Sequence, residues 1–282
     1  MKTETTISGV RAALRAARKA GKSIAMVPTM GNLHAGHITL VKTAKRRADI
    51  VVTSIFVNPT QFGINEDFDK YPRTLSADSA LLAEASCDIL FAPDMREMYP
   101  DGRQQNTSVN VSGITDMLCG TSRPGHFSGV ATVVSKLFNI VQPDMALFGE
   151  KDYQQLAVIR RFSRDLCFPV EVIGVATVRA EDGLALSSRN GFLSSEERKL
   201  APQLFKTLSS LRTAIEGGQR DYAMLAAAAN THLAKCGFVP EYLEVRRQDL
   251  ELAGHGDKAL VILVAARLGS TRLIDNLAFE LP

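Results

Sequence analysis

Ile24-Ala-Met-Val-Pro-Thr-Met-Gly-Asn-Leu-His-Ala-Gly-His37 is the stretch from which the fold can be read. Its apolar opening, Ile24 to Val27, reads as a strand. Pro28 to Gly36 supplies turn chemistry, and Ile38, Leu40 and Val41 begin a helix-like apolar pattern that runs to about Ala48. The order is strand, glycine-bearing turn, helix. His34 and His37 lie three apart at the helix start, where an i,i+3 pair shares one face. Backbone N–H groups without helical partners and the positive end of the helix dipole converge there, which suits an anion such as phosphate. Two imidazoles add donors that can follow charge as it develops on phosphate oxygens. The same H-x-x-H spacing also fits a surface pair or half of a metal site. The metal reading is the weaker one, because zinc sites usually need a third Cys, His or carboxylate ligand and none stands out nearby.

Composition narrows the class. A chain of 282 residues is long enough for one large domain or two smaller ones with real cores. A hydrophobic content of 45% and a charged content of 22% describe an ordinary globular protein and exclude a disordered one. The net charge of +3 is too mild to imply nucleic acid or a membrane as partner, although local basic clusters can still hold anionic substrates. Cys87, Cys119, Cys167 and Cys236 are far apart and form no C-x-x-C, so free thiols in a reducing cytoplasm are expected. No apolar run is long enough to span a bilayer. Residues 8–20 are Arg- and Ala-rich and amphipathic, a pattern that a transit peptide shares with a fold's first helix. The helical period of Val10, Leu14 and Ala17, the stop at Gly21 and the strand that follows favour the first helix.

Outward from the His-bearing turn, strand-end loops recur. Asp49 to Val57 is β-branched and apolar, as expected of a strand covered on both faces of a parallel sheet, and it ends in Asn58-Pro-Thr-Gln-Phe-Gly63. Ligands in open α/β sheets bind beyond the carboxyl ends of strands, so Gln61 is placed to donate and accept at a small polar substrate; a plain turn is the alternative. Glu66 to Arg73 reads as a loop with a short helix, about Ser76 to Ala85 as a helix, Asp88 to Ala92 as a strand, 94–106 as exposed loop and Thr107 to Val111 as an edge strand. A glycine- and proline-bearing loop carries Arg123, which could clamp a phosphate or carboxylate, and His126. Val130 to Val141 reads as a buried helix on which Lys136 either snorkels outward or points into a cleft. Asp144 to Phe148 is a strand ending in Gly149-Glu-Lys-Asp152, where Lys151 could meet a phosphate; the helix Tyr153 to Asp165 and the strand Val170 to Val175 follow. Val178 to Asn190 is rich in backbone donors and hydroxyls, carries Arg179 and Arg189, and could fold over a triphosphate. From Ser194 the character changes to a charged helix over Ser195 to about Glu216, an Ala-rich helix over Tyr222 to Lys235, and strands near Tyr242–Arg246, Ala259–Ala266 and Thr271–Asn276.

In order along nearly the whole chain, VPTMGNLHAGH (27–37), FVNPTQFG (56–63), SRPGHFSGV through NIVQPDMALFGEKDYQQL (122–156), VATVRAEDGLALSSRN (175–190) and TRLIDN (271–276) resemble the pantothenate synthetase (pantoate–β-alanine ligase) family. H-x-G-H alone marks a whole superfamily of nucleotidyltransferases, whereas all five stretches together are specific. The resemblance implies a Rossmann-like parallel-sheet domain over residues 1–189, binding ATP and pantoate, and a smaller C-terminal α/β domain over 190–282 that caps the cleft. It implies a two-step ligation: pantoate attacks the α-phosphorus of ATP, and β-alanine then attacks the pantoyl adenylate. By matching position, Met30, Gly31, Asn32, Leu33, His34, Ala35, Gly36 and His37 line the ATP site, with His37 as general acid toward pyrophosphate and His34 beside it. Gly149, Glu150, Lys151, Asp152 and Val178 hold the nucleotide, with Lys151 on a phosphate as the third catalytic residue. Leu186, Ser187, Ser188 and Arg189 form a second nucleotide loop. Gln61 and Gln155 contact pantoate, and Gln61 also the β-alanine site. Arg123, Lys136 and Arg179 are further candidates on charge and placement. Mg²⁺ accompanies ATP, with protein ligands unknown, and the family is commonly homodimeric.

Overall fold

The computed structural model describes residues 1–63, 66–102 and 105–282. The chain folds as two compact units, Met1–Glu150 with Gln155–Ala176, and Lys151–Gln154 with Thr177–Pro282.

In the first unit the elements are β1 (Lys2–Glu4), α1 (Ile7–Lys19), β2 (Ile24–Thr29), α2 (Ala35–Lys45), β3 (Ile50–Ile55), α3 (Leu75–Glu84), β4 (Ile89–Phe91), α4 (Met95–Met98), α5 (Cys119–Ser122), α6 (His126–Val141), β5 (Met145–Gly149), α7 (Tyr153–Asp165) and β6 (Glu171–Val175). The strands form one parallel sheet in the order β1-β4-β3-β2-β5-β6. Period-two alternation sends Ala25 and Val27 to one face, where they pack with Leu40, Val41 and Ala44 of α2 and Leu82 of α3. Ile24 and Met26, also fully buried, face the opposite way, and α6 packs on β2 and α1. Helices on both faces explain why these strands read as continuous apolar runs.

The chain leaves β2 toward β3 and β4 on one side and returns to β5 and β6 on the other, so strand order reverses between β2 and β5. That is the topological switch point, where open α/β sheets bind ligands. Pairing between β2 and β5 covers only Ala25 with Met145 and Met26 with Ala146. Two residues later Pro28 has no N–H to continue a ladder, and the two carboxyl ends part there.

Several expectations are corrected. The edge strands are β1, paired with β4, and β6, paired with β5; Thr107 to Val111 joins no sheet, and the N–H of Val109 instead donates to Thr132 Oγ1 at 2.9 Å. The segment 94–106 is not plain exposed loop, because it contains α4 and buries Met98 and Tyr99 to 1% exposure or less; its residues 103 and 104 lie outside the described residues. The described part of 66–73 forms a turn and no helix. The helix expected over 195–216 is two, α8 (Ser195–Leu200) and α9 (Gln203–Glu216), interrupted at Ala201 and Pro202. Proline lacks the N–H that would continue α8 but is accommodated at the entry to α9.

The second unit continues with α10 (Tyr222–Lys235) and three ten-residue antiparallel strands, β7 (Phe238–Arg247), β8 (Ala259–Leu268) and β9 (Thr271–Glu280), in that order. Pro240 lies on the edge strand β7 beside a register shift, as a residue without a ladder donor requires. Leu204, Leu208 and Leu211 of α9 and Leu225 and Leu233 of α10 pack with β8 in the core. The segment 178–186 doubles back on itself, with the N–H of Leu186 on the Val178 carbonyl at 3.0 Å and that of Ala180 on Leu184 at 2.8 Å. Arg179 ties this hairpin to β9. Its guanidinium meets both Asp275 oxygens at 2.7 and 2.9 Å, reaches the Gly183 and Asn276 carbonyls, and lies 3.7 Å from the Phe205 ring centroid. The Asp275 side chain is 2% exposed and that of Arg179 18%, so removing one partner strands a buried charge. Asp275→Ala is expected to lose about 3–5 kcal/mol of stability in this unit. Hydrogen exchange by mass spectrometry checks it: residues 178–186 should lose protection while β2 and α2 keep theirs, and unchanged protection at 178–186 would refute the tether.

Candidate active site

The turn after β2 is held by a buried carboxylate that sequence reading passed over. Asp78, on the first turn of α3 and 2% exposed, accepts from the N–H of Asn32 at 2.9 Å, that of Leu33 at 2.8 Å and the Thr74 hydroxyl at 3.0 Å. Those bonds fix the chain where Gly31 and Asn32 take φ of +84° and +50°. A Cβ at Gly31 would also stand 3.1 Å from both Asp78 Oδ2 and Ile55 Cγ2, so only glycine satisfies both conformation and space. Thr29 donates its hydroxyl to the Ser54 carbonyl at 2.7 Å and accepts from the N–H of Gly31 at 3.2 Å, which ties the turn to β3.

Held this way, the chain enters α2 with His34 as N-cap. His34 Nδ1 accepts from the N–H of Gly36 at 3.1 Å, and His37 Nδ1 accepts from the N–H of His34 at 3.3 Å. An imidazole nitrogen that accepts carries no proton, so each neutral ring has its proton on Nε2. The ring centroids are 4.1 Å apart. The structure thus supplies two Nε2–H donors, oriented by the backbone at a helix N-terminus. Gly36 has its own reason: a Cβ there would meet His34 Cε1 at 2.8 Å and Nδ1 at 2.9 Å, so the ring can cap the helix only over glycine.

Asn58 to Gln61 brings a second set to the same strand ends. A single 3-10 turn, Pro59–Gln61, follows β3. Asn58 Nδ2 donates to Gln61 Oε1 at 3.0 Å and to the Gly129 carbonyl at 3.2 Å, and Gln61 Nε2 lies 3.3 Å from Met30 Sδ. Met30 and Gln61, named separately in the sequence, are therefore neighbours. Helix α6 comes against this turn without an intervening side chain, since a Cβ at Gly129 would be 2.3 Å from the Thr60 carbonyl oxygen. Tyr99 donates to Asn58 Oδ1 at 2.8 Å, and Lys136 Nζ sits 4.5 Å from the Tyr99 ring centroid. Lys136 thus turns inward to this cluster, and desolvation holds its ammonium below the usual lysine range.

Arg123 is not a clamp available to substrate. Its Nε and Nη2 each meet a Glu66 oxygen at 2.6 Å, and Nη1 lies 2.9 Å from His126 Nε2. Burial pushes Glu66 upward, but the hydrogen bond and charge of Arg123 outweigh it and hold the carboxyl below its ordinary value. His126 Nδ1 and Arg123 Nη2 reach the Gln61 carbonyl at 2.8 and 3.4 Å, so the group braces the Gln61 backbone. Arg179, paired with Asp275, is likewise structural.

At the end of β5 the first unit carries Gly149, then Glu150, and Gln155 half-buried near the start of α7. A Cβ at Gly174 would stand 2.9 Å from Glu150 Oε1, which places Glu150 over β6. In the second unit Lys151 and Asp152 lie in a 3-10 turn whose Lys151 carbonyl accepts from Asn276 Nδ2 at 2.9 Å. The hairpin bond described above joins Val178 to Leu186. Ser187 caps the next turn, Ser188–Phe192, by accepting from the N–H of Arg189 at 3.3 Å. Asp275 and Asn276, adjacent on β9, hold Arg179 and the Lys151 backbone. They were legible only as part of TRLIDN, with no role attached.

Among the described residues no group of three or more His, Cys, Asp or Glu side chains is arranged to hold a metal ion, and no helix is long and apolar enough to cross a membrane.

The chain's similarities run along its full length. A family model described as pantoate-beta-alanine ligase matches residues 2–278. Pantothenate synthetase from Pseudomonas putida strain W619 is 60% identical over 282 residues, covering 100% of this chain and 98% of that one. The crystal structure of pantothenate synthetase from Thermus thermophilus matches with a TM-score of 0.92 and 48% identity over 98% of this chain and 99% of the other. That of pantoate-beta-alanine ligase from Francisella tularensis, complexed with beta-gamma ATP and beta-alanine, matches with a TM-score of 0.82 and 35% identity over 99% and 97%. With a parallel-sheet unit whose switch point carries H-x-G-H, and with these matches from end to end, the chain belongs to the pantoate–β-alanine ligase family.

Proposed function

We propose that this chain joins (R)-pantoate to β-alanine at the expense of ATP, giving pantothenate, AMP and pyrophosphate. The carboxylate oxygen of pantoate attacks the α-phosphorus; the bond from that phosphorus to the bridging oxygen breaks, and pyrophosphate leaves. The amine of β-alanine then attacks the adenylate carbonyl, AMP departs with the bonding pair, and the amine loses a proton. Neither step needs a protein nucleophile. The chain has to orient reactants and stabilise charge that builds on phosphate oxygens.

The observation that carries the reading is the pair of backbone-oriented imidazoles. With both Nδ1 atoms accepting backbone N–H groups, His34 and His37 offer Nε2–H donors at a helix N-terminus. In our reading these meet the phosphates, and His37 hydrogen-bonds the departing pyrophosphate. Met30 to His37 line the nucleotide, with Gly149 to Asp152, Val178 and Leu186 to Arg189 completing its contacts and Lys151 on a phosphate. Gln61 and Gln155 take pantoate. Mg²⁺ enters as the complex with ATP and draws charge from the phosphates when bound. The described residues offer it no cage, which fits an ion held mainly by phosphates and water. We assign residues 1–189 to the catalytic domain and 190–282 to the smaller one, and place the protein in the cytoplasm as a homodimer acting on small molecules. Mild net charge and four cysteines outside any disulfide support the cytoplasmic setting.

Pyrophosphate release from ATP and magnesium tests the reaction. Pantoate alone should release about one equivalent per site, and added β-alanine should convert this to multiple turnovers. ATP binding without a pantoate response would send the search to other acceptors of H-x-G-H enzymes. His37→Ala should fold and bind ATP yet form adenylate about 10²- to 10³-fold more slowly in single turnover. A near-normal rate would remove His37 from the catalytic group. Gly36→Ala separates helix propensity from ring placement. Alanine favours a helix by about 1 kcal/mol while losing the His34 cap costs about 0.5–2 kcal/mol, so the two effects nearly offset and stability should stay within about 1 kcal/mol of wild type. Adenylation should nevertheless fall, because the methyl group occupies the place of the His34 ring. An alanine variant with wild-type adenylation would show that the capped ring position is dispensable.

A further inference from the structure

We propose that Tyr99 is a positioning residue for Gln61: the Gly129 carbonyl sets the amide order of Asn58, which makes the Gln61 amide face its ligand as a donor, and the Tyr99 hydroxyl, donating to Asn58, holds that order in place. The inference rests on Gln61 being the pantoate contact proposed above. It starts from a backbone carbonyl, which can only accept. The Gly129 carbonyl lies 3.2 Å from one amide atom of Asn58, so that atom is Nδ2. The carbonyl has little freedom to move, because α6 touches the Thr60–Gln61 backbone directly at Gly129. The second amide atom of Asn58 is then oxygen. It receives the Tyr99 hydroxyl at 2.8 Å and the Thr60 hydroxyl at 3.0 Å. Nδ2 gives its other hydrogen to a Gln61 amide atom 3.0 Å away, which makes that atom Oε1. Nε2 is what remains to meet a ligand, with Met30 Sδ 3.3 Å away.

A glutamine able in principle to donate or accept is thereby restricted to donating. Its matching ligand atom is a carboxylate or hydroxyl oxygen, both of which pantoate carries. Tyr99 and Asn58 are each 1% exposed, so water does not readily replace a lost donor. Burial holds the phenol above its ordinary range, which keeps its proton in place through neutral pH. The Lys136 ammonium over the ring helps fix the ring itself.

Tyr99→Phe removes the hydroxyl and keeps the ring beside Lys136. Its KM for pantoate should rise about tenfold, the worth of one buried hydrogen bond, while the KM for ATP stays within about twofold. In a Gln61→Ala background the same substitution should change pantoate KM by less than about twofold. Thr60→Val removes the other donor to Asn58 and should give a smaller split of the same kind; it carries the test if Tyr99→Phe fails to fold. Absence of pantoate-dependent pyrophosphate release in the wild type would overturn the proposed function and this inference with it. With that release present, equal rises in both KM values, or a Tyr99→Phe effect undiminished beside Gln61→Ala, would overturn the positioning role alone.

Discussion

A single buried carboxylate sets the geometry from which the rest of the site follows. Among the described residues no positively charged group hydrogen-bonds Asp78; it accepts from two backbone N–H groups and a hydroxyl. Such bonds are directional, so they fix backbone orientation as well as charge. Here they hold Asn32 and Leu33 in a turn that an unrestrained chain would rarely keep, because Asn32 sits in the left-handed region without being glycine. Only with that turn formed does His34 reach the N-cap position, and only from there can its ring accept from Gly36. Asp78 therefore acts on the two imidazoles only through the turn that precedes them. Its removal would be felt as loss of histidine alignment.

Three glycines show how a site constrains sequence through space. Gly31 is required by positive φ and by its neighbours together. Gly36 has ordinary helical backbone, and what excludes a side chain there is the imidazole stacked over it. Gly129 is in the first turn of a buried helix, where alanine would normally be favoured, yet its missing side chain lets α6 meet the Thr60 carbonyl directly. That contact anchors the amide order of Asn58 and Gln61. A glycine on one helix thus determines which atom a glutamine on another segment presents.

The fold was legible where local pattern and tertiary role coincide. Strands covered on both faces gave unbroken apolar runs, and α7 and α10 matched their expected bounds because their apolar periods ended at clear stops. It was illegible where partners are remote. Lys2–Glu4 is too short and polar to announce itself; its strand character comes from pairing with β4. Thr107 to Val111 alternates correctly but finds a threonine side chain in place of a neighbouring strand. At the strand ends, the turns that carry H-x-G-H and Asn58 to Gln61 could be located from sequence because each is a run of adjacent residues after an apolar strand. Asp78 and Tyr99 could not, since an acid in the first turn of a helix and a tyrosine in a polar loop have commoner explanations. Arg123 and Arg179 failed in the opposite direction. Their charge is real, but Glu66 and Asp275 already consume it, and sequence shows a cation without showing its counter-ion.

That division of cations has a physical logic. An arginine binds a carboxylate through two parallel hydrogen bonds and remains charged whatever its surroundings, which suits a permanent brace. Arg123 and Arg179 are used in this way, one behind the Gln61 backbone and one between a hairpin and β9. Groups assigned to the reacting phosphates have a different task, since the charge they meet changes during the reaction. An imidazole with its Nδ1 occupied can strengthen a hydrogen bond from Nε2 without changing place, because the backbone holds its other nitrogen. The orientation is established when the helix folds, before ATP arrives, so little reorganisation is left for the moment of bond breaking. In this protein the two rings cap the helix, and in the proposed reading the same two rings meet the phosphates. Such sharing would tie the stability of the first turn of α2 to the alignment of the donors, and on the proposed reading it accounts for histidine at a position where serine or aspartate would cap the helix as well but leave nothing for the phosphates.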